Sequence, residues 1–450
     1  MIRKYISGSN TGYIGTPNQI VNTLPYIFLM LALLSIIVFI SLLMISGVQS
    51  GVYDILFCFI APLYASCLVL SYIKRMNELS IGTIYFFCYS LLLGIPACYL
   101  FIVNDSTPAF KGMMLCIVLS SMVIYFLGKS FRQTKTNPLI NLRLSNFFVF
   151  IFLFVAIAQL YKIYTYYSFI SNSGLGHLAI YLSNDDLVSS VPFAIRFLSG
   201  FSVILSLMAI AFSRSKIITA IAIFILFSDI IIGIRGKAFS SLISIFIIMM
   251  FVDINNAKKY FRKITSPVVI SSLFVVLSLV SYYREGYNMY FFSYLLIVLD
   301  SIASIISGLQ STFNISDFWY SHNFNQEDII LQFFNLLGFN INGVTPISQV
   351  YTDIALGSHS SGIALSSSLP LESMILGGAF GPMVMIAYSL SIILLINKLL
   401  SSGNKMLIVS AMAILPGFIF SCRAELVLPL VYLVKALPII IISPVLIKRA

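Results

Sequence analysis

The chain has 450 residues, of which 59% are hydrophobic and only 9% are charged, and its formal net charge is +11. Its mean hydropathy is +1.01. A water-soluble protein of this length needs far more charge to cover its surface, so the composition excludes a soluble domain. It predicts an all-α polytopic membrane protein. The placement of the basic residues along the chain argues against a nucleic-acid partner.

Apolar runs of about 17–26 residues, each able to cross roughly 30 Å of hydrocarbon, recur along the chain. The first begins at Leu24, is too long for a signal-peptide core, and has no small-residue cleavage site after it. We predict about twelve transmembrane helices in a single integral membrane domain, residues 1–450. The predicted spans are 24–46, 53–73, 80–103, 112–128, 145–167, 192–212, 216–233, 237–252, 265–283, 372–397, 405–421 and 424–446.

The basic residues orient these helices. With a cytoplasmic N-terminus, the inside segments hold eighteen of the 26 Lys and Arg residues against two acids, Glu78 and Asp253. This bias obeys the positive-inside rule and predicts that both termini are cytoplasmic. Eight basic residues fall elsewhere: Lys111, Lys162, Arg196, Arg235, Lys237, Arg284, Arg423 and Lys435.

Two sizeable outer loops follow from this map. One is residues 168–191, and the other, 285–371, is the single large extramembrane segment. Within it, the apolar stretch 290–309 carries Asp300 and several serines, and we interpret it as an interfacial or re-entrant helix. Counting it as a span would reverse the last two loops and place the basic segment 397–405 outside.

The sequence "GIRGK" places Arg235 and Lys237 at an outer helix junction, where topology disfavours positive charge. Arg284 and Arg423 fall at the same predicted level. An arginine in hydrocarbon costs about 2.5–3.5 kcal/mol on insertion scales, so something should offset it. A phosphate would do so, because guanidinium donates two parallel hydrogen bonds to it. Snorkelling to headgroups, or pairing with Glu285 and Glu425, is the alternative.

The large outer loop supplies a second group of candidates. Trp319, the only tryptophan, lies in the aromatic and amide-rich stretch "SDFWYSHNFNQED". Aromatic faces beside amides suit a sugar, although an interfacial anchor has the same composition. The polar stretch "GSHSSG" offers His359 as a general base, because its unperturbed pKa lies near 6.5. It leads into an apolar helix that starts near Glu372.

Several motifs are missing from the sequence. The six cysteines show no metal-ligand spacing, and there is no phosphate-binding loop, dinucleotide fingerprint, HExxH or DxD motif. We therefore expect no metal and no cofactor. A transferase of this kind would meet a lipid-linked donor from the outside.

The chain resembles the bacterial O-antigen polymerases of the Wzy type, which join oligosaccharide repeat units. The similar features are the "GIRGK" junction, "YYREGYN" opening the outer loop, "HSSGIALSSSLPLESMILGGAFGP" closing it, and "CRAE" opening the last helix. The resemblance implies a GT-C-like inner-membrane glycosyltransferase. Its substrate would be an undecaprenyl-diphosphate-linked oligosaccharide at the periplasmic face, and a chain-length regulator protein would be a partner.

On this resemblance, the predicted site divides into two groups. Arg235, Lys237 and Arg423 would bind the diphosphate, and Trp319 and Glu372 would also contact substrate. His359 or Glu285 would take the acceptor proton beside Arg284. A lipid-linked oligosaccharide flippase, or an O-antigen ligase using the same donor, is the alternative.

Overall fold

The computed structural model describes residues 17–74, 79–103, 108–130, 142–173, 184–232, 236–264, 326–337, 368–422 and 424–449, with isolated positions 139, 266, 268–269, 272, 275 and 347. Nearly all of them are helical. The helices of the first half are α1 Pro17–Ser46, α2 Ser50–Lys74, α3 Ile81–Tyr89, α4 Ile95–Val103, α5 Pro108–Ser130, α6 Asn146–Asn172, α7 Asn184–Ser189, α8 Phe193–Ser199 and α9 Ser202–Phe212.

The helices of the second half are α10 Lys216–Phe227, α11 Gly236–Val252, α12 Ile254–Ile264, α13 Gln326–Leu337, α14 Leu369–Gly377, α15 Gly381–Ser401, α16 Lys405–Phe420, α17 Leu428–Lys435 and α18 Leu437–Leu446. Two strands, β1 Leu142–Leu144 and β2 Ile447–Arg449, pair antiparallel with Leu142 opposite Arg449. A π-helical turn, Ser90–Gly94, joins α3 to α4, and 3-10 turns cover Ser228–Ile232 and Gly378–Phe380.

Six helical stretches in the described residues are long and apolar enough to cross a membrane. The bent pair α17 and α18, which meet at 53°, makes a seventh, and shorter apolar helices cover 31–46, 236–252 and 405–420. The chain is therefore a multi-pass helical membrane protein, as the composition predicts. Of the predicted span 265–283, only positions 266, 268–269, 272 and 275 are described.

Helix α5 forms the centre of the bundle and packs against α1, α2, α3, α4 and α15. Glycines allow the closest of these approaches, because Gly82 of α3 and Gly128 of α5 lie backbone to backbone, with no room for a Cβ atom on either. Small residues at helix crossings are the usual means of close packing in membranes, where water provides no hydrophobic drive between helices.

The two strands mark one end of the bundle, which we call the strand end. The Ser145 N–H donates to the Leu446 carbonyl at 2.9 Å, and Lys405 Nζ donates to the Ile447 carbonyl at 2.6 Å. Helix α6 begins here with Ser145 as its N-cap, whose hydroxyl accepts from the Phe148 N–H at 3.2 Å. The exposed basic residues Arg143 and Lys448 face each other across the strand pair.

Helix α13 lies in segment 285–371, the predicted large outer loop, and was not predicted from the sequence. Helix α13 packs against α17 and α14. Its signal is local: Glu327 and Asp328 lie in the first turn, where the helix dipole favours acids, and the buried Ile329 and Gln332 are three residues apart. The other residues of the loop between 285 and 367, apart from Ile347, lie outside the described residues.

Candidate anion-binding site

The site lies where the chain turns between α10 and α11. Helix α10 tightens into the 3-10 turn Ser228–Ile232, and the Ser228 hydroxyl donates to the Ile225 carbonyl at 2.7 Å. The next helix begins at Gly236, which packs against the Phe420 ring so closely that a Cβ atom would overlap it. Glycine at this position therefore brings the start of α11 against the end of α16.

Asp229 is the anionic centre of this turn and is only 2% exposed. Its Oδ2 atom forms an ion pair with Lys237 Nζ, and its Oδ1 atom accepts a hydrogen bond from Gln159 Nε2 at 3.0 Å. Gln159 is fully buried in α6 and its Nε2 also lies 3.4 Å from Ser228 Oγ. A buried carboxylate is costly unless it is paired and hydrogen-bonded, and Asp229 meets both conditions.

Four cationic side chains and this one carboxylate belong to one electrostatic group centred on Lys162 of α6. Lys162 lies within electrostatic range of Asp229, Lys237, Arg196 and Lys435. In the part of the chain that the structure describes, Lys237 is the one cation of the four that forms an ion pair. We call Lys162, Arg196, Asp229, Lys237 and Lys435 the junction cluster. It carries an excess of three positive charges, because it contains four cations and one anion.

Two of the three unpaired cations of the junction cluster contact aromatic rings. Lys162 Nζ lies 5.4 Å from the Tyr166 ring centroid, and the Arg196 guanidinium lies 5.9 Å from that of Phe193. Within the described part of the chain, the buried Arg196 Nε has no hydrogen-bond partner. Such contacts compensate a cation only weakly, at about 0.5–2 kcal/mol. The donors therefore remain available to an anion such as a phosphate group.

A second polar contact fixes the turn that follows α16. Glu372, fully buried in α14, accepts from Gln332 Nε2 of α13 at 3.1 Å and from the Leu426 N–H at 2.8 Å. Tyr388 Oη donates to the Leu426 carbonyl at 2.9 Å. Helix α14 begins at Leu369, one turn before Glu372, as the sequence predicts within a few residues. In these contacts Glu372 positions the turn at Leu426, and its predicted contact with substrate stays a prediction.

Cys422, two residues after the end of α16, carries a buried thiol. Burial raises the pKa of the Cys422 thiol to about 12, so it is protonated at neutral pH and a poor nucleophile. No three His, Cys, Asp or Glu side chains of the described residues lie close enough together to hold a metal ion. The three histidines, His177, His322 and His359, lie outside those residues.

The predicted site residues fall into two groups, those that the structure describes and those that it does not. Lys237 and Glu372 are described, and they belong to two different groups of contacts. Six others lie outside the described residues: Arg235, Arg284, Glu285, Trp319, His359 and Arg423. Sequence reasoning counted Lys162, Arg196 and Lys435 among the basic residues away from the cytoplasm but did not assign them to the site. It missed Asp229 and Gln159, although polar groups inside apolar runs are a recognised signal of function.

Comparison of the chain with protein-family models, with curated proteins and with solved structures gave no match. A functional assignment therefore depends on the chemistry of the junction cluster and on the sequence motifs around it.

Proposed function

We propose that this protein is an O-antigen polymerase. It transfers a growing glycan from undecaprenyl diphosphate onto a new undecaprenyl-diphosphate-linked repeat unit. The observation that supports this proposal is the positive excess of the junction cluster, located within apolar helices at a helix break. A cluster of this kind matches a lipid-linked diphosphate, the leaving group of the reaction.

The proposed topology has twelve spans and a GT-C-like arrangement in the bacterial inner membrane. The six long helical stretches, the bent pair and the three shorter apolar helices make ten. The helical segment 216–232 would be the eleventh and 265–283 the twelfth. The strand end, with its basic loops, would face the cytoplasm together with both termini, and the junction cluster would face the periplasm.

In the proposed reaction, the anomeric carbon becomes oxocarbenium-like while negative charge builds on the diphosphate. Cations fixed near that charge stabilise the transition state more than the ground state, and one such donor is typically worth about 2.7–4 kcal/mol. Lys162, Arg196 and Lys435 are suited to this role because they lack carboxylate partners among the described residues. Asp229 and Gln159 would hold Lys237 in place.

The sequence motifs complete the proposed site. Arg235 immediately precedes Gly236 and Arg423 immediately follows the buried Cys422, so both are adjacent to residues near the α11–α16 contact. We assign them, with Arg284, to bidentate phosphate binding. His359 would be the base, with Glu285 orienting Arg284, and Trp319 would stack on a sugar ring. A chain-length regulator protein would bind the same assembly, and cations would replace a metal.

The test is reconstitution of the purified protein into proteoliposomes with undecaprenyl-diphosphate-linked repeat units. We expect a ladder of glycan lengths on a gel. The triple variant Lys162→Gln, Arg196→Gln, Lys435→Gln should lose the ladder. The matched control Lys74→Gln, Lys398→Gln, Lys448→Gln, which removes three exposed cations elsewhere, should keep it. Absence of a ladder from the parent protein would refute the polymerase, and an equal loss in both triple variants would refute the assigned site.

A second substitution series examines the arginine motif. Arg235→Ala should abolish long polymer while insertion stays normal, and Arg235→Lys should restore little, because a point charge lacks the bidentate fork. Full activity of Arg235→Lys would contradict the argument that a bidentate guanidinium is required.

Adding lipid A core as the acceptor in the same assay distinguishes a ligase, which would modify the core without building a ladder.

A flippase for lipid-linked oligosaccharides is the second candidate, because several helices are discontinuous. The π-helical turn Ser90–Gly94, the two 3-10 turns and the 53° bend interrupt predicted spans, and broken helices are common in transporters. This candidate predicts movement of a labelled lipid-linked repeat across the bilayer without elongation. Elongation without such movement favours the polymerase.

The orientation can be tested separately. In a cysteine-free background, cysteines placed at Ser358 and Asn325 should react with an impermeant thiol reagent added from the periplasmic side. A cysteine at Asn256, which is exposed at the start of α12, should not. The opposite labelling pattern would overturn the topology and, with it, the periplasmic location of the site.

A further inference from the structure

Helix α12 is a short amphipathic helix that directly follows the apolar helix α11. Asp253 begins it: Asp253 Oδ1 accepts from the Asn255 and Asn256 N–H groups at 3.0 and 3.1 Å. Asp253 Oδ2 accepts from Asn256 Nδ2 at 2.7 Å. Both carboxylate oxygens are therefore engaged in capping, and this acid is not a counterion for the cations further along the helix.

The apolar face of α12 packs against the bundle. Ala257 is 1% exposed and Phe261, one turn later, is 9% exposed. The Phe261 ring lies 6.1 Å from that of Phe246 in α11 and 6.4 Å from that of Phe87 in α3. These contacts fix the rotation of α12 about its own axis, and so determine which residues face outwards.

The outward face carries four cations in two pairs, Lys258 with Arg262 and Lys259 with Lys263. Like charges four residues apart destabilise a helix by a few tenths of a kcal/mol per pair, so an external anion would be stabilising here. None of the four forms an ion pair within the described part of the chain. With Ser266 and Val269 they line an open groove of about 770 Å³.

Apolar side chains are also exposed in this part of the chain, and one of them, Val269, lines the groove itself. Val268 is 75% exposed, Val269 40% and Tyr260 47%. An acidic protein or a nucleic acid would leave such aliphatic surface in water. A phospholipid covers both parts, because its phosphate meets the cations while its acyl chain covers the valines, as in amphipathic helices at membrane surfaces.

We propose that the groove between α12 and Val269 binds the headgroup of an anionic phospholipid of the surrounding bilayer. This inference is independent of the enzymatic proposal, because it concerns cations of α12 that do not belong to the junction cluster.

The test uses the purified full-length protein in mixed micelles that contain equal amounts of phosphatidylglycerol and phosphatidylcholine. Native mass spectrometry measures which lipid stays bound. We expect the parent protein to retain phosphatidylglycerol preferentially. In the variant Lys258→Gln, Lys259→Gln, Arg262→Gln, Lys263→Gln, the ratio of bound phosphatidylglycerol to bound phosphatidylcholine should fall at least about tenfold. The reason is that each basic residue near an anionic surface contributes on the order of fivefold in affinity.

Two control variants make the result specific. The variant Arg214→Gln, Lys216→Gln, Lys398→Gln, Lys448→Gln removes four other exposed cations and should retain the preference. A charge-conserving variant, Lys258→Arg, Lys259→Arg and Arg262→Lys, which leaves Lys263 unchanged, should also retain it. The proposal would be overturned if the parent showed no lipid preference, or if both variants that replace four cations by Gln lost it equally. Full displacement of the lipid by water-soluble glycerophosphoglycerol would also overturn it, because that result indicates a site for a free phosphate.

Discussion

Two lysine–aspartate ion pairs lie among the described residues of this protein, and they differ in what surrounds them. Lys111 of α5 pairs with Asp54 of α2 at 2.7 Å, and their side chains are 10% and 51% exposed. Lys237 pairs with Asp229, whose side chain is 3% exposed, and three further cations are nearby. In the first pair the two charges balance, and the Asp54 side chain is about half exposed. The second is buried and carries a positive excess.

The difference shows why an ion pair alone does not indicate a binding site. Lys111 has its charge matched by Asp54 and also lies 5.5 Å from the Phe101 ring centroid, so it has little need of a further anion. In the junction cluster one carboxylate cannot neutralise four cations. Burying uncompensated charge is expensive, so an external anion would relieve a cost already present in the fold.

The largest expected effect on stability separates the two aspartates. Asp229→Asn should lower the free energy of unfolding by about 3–5 kcal/mol, because it leaves Lys237 without the one carboxylate partner that it has among the described residues. Asp54→Asn should cost about 1 kcal/mol or less, because Asp54 is half exposed. Thermal unfolding in detergent, followed with a thiol-reactive dye, measures both. Equal shifts for the two variants would contradict the contrast.

The two lysines should differ in function more than in stability. Lys237→Met should reduce the initial rate of glycan elongation by about 10²–10³-fold, the usual effect of losing one transition-state donor. Lys111→Met keeps the volume of the side chain and should elongate at nearly the parental rate. Rates are compared at equal amounts of inserted protein. A comparable loss in Lys111→Met would mean that the effect of Lys237 is structural.

A smaller effect is expected from the amide that supports Asp229. Gln159→Leu removes the 3.0 Å hydrogen bond to Asp229 and should cost about 1–3 kcal/mol of stability, the penalty for an under-satisfied buried acceptor. Gln332→Leu is the comparison, because Glu372 keeps its bond from the Leu426 N–H. We expect elongation to fall in Gln159→Leu, measured as above. An unchanged rate would remove Gln159 from the support of the cluster.

The smallest effect concerns Glu425, in the turn between α16 and α17. Burial raises the pKa of its carboxyl above the ordinary value. The folded protein therefore binds this proton more tightly than the unfolded chain does. The resulting stability is fully present below the unfolded pKa and is lost as the pH rises through the folded pKa. Glu425→Gln should raise the melting temperature at pH 8 and change it little at pH 4. A larger gain at pH 4 would contradict this assignment.

The sequence by itself determined that the chain is helical and crosses a membrane. Long apolar runs favour the bilayer, and in lipid every backbone N–H and C=O group must be hydrogen-bonded within the protein, which a helix achieves within a single run. The sequence also predicted the start of the helix near Glu372 and the helix junction at "RGK". Glycine, proline and serine mark helix ends within otherwise uniform apolar runs. The helix Gln326–Leu337 was missed, although acidic residues at its start were a usable local signal.

Only the tertiary structure decided which of the eight basic residues outside the cytoplasmic loops converge. Lys162, Arg196, Lys237 and Lys435 come from four helices far apart in sequence, and Lys111, at a similar predicted depth, pairs with Asp54 instead. The sequence could not separate these cases. Helices that are apolar all round carry no hydrophobic stripe to indicate which face meets a neighbour, because lipid is as apolar as the protein core. Side-chain packing and charge pairing between helices settle that choice.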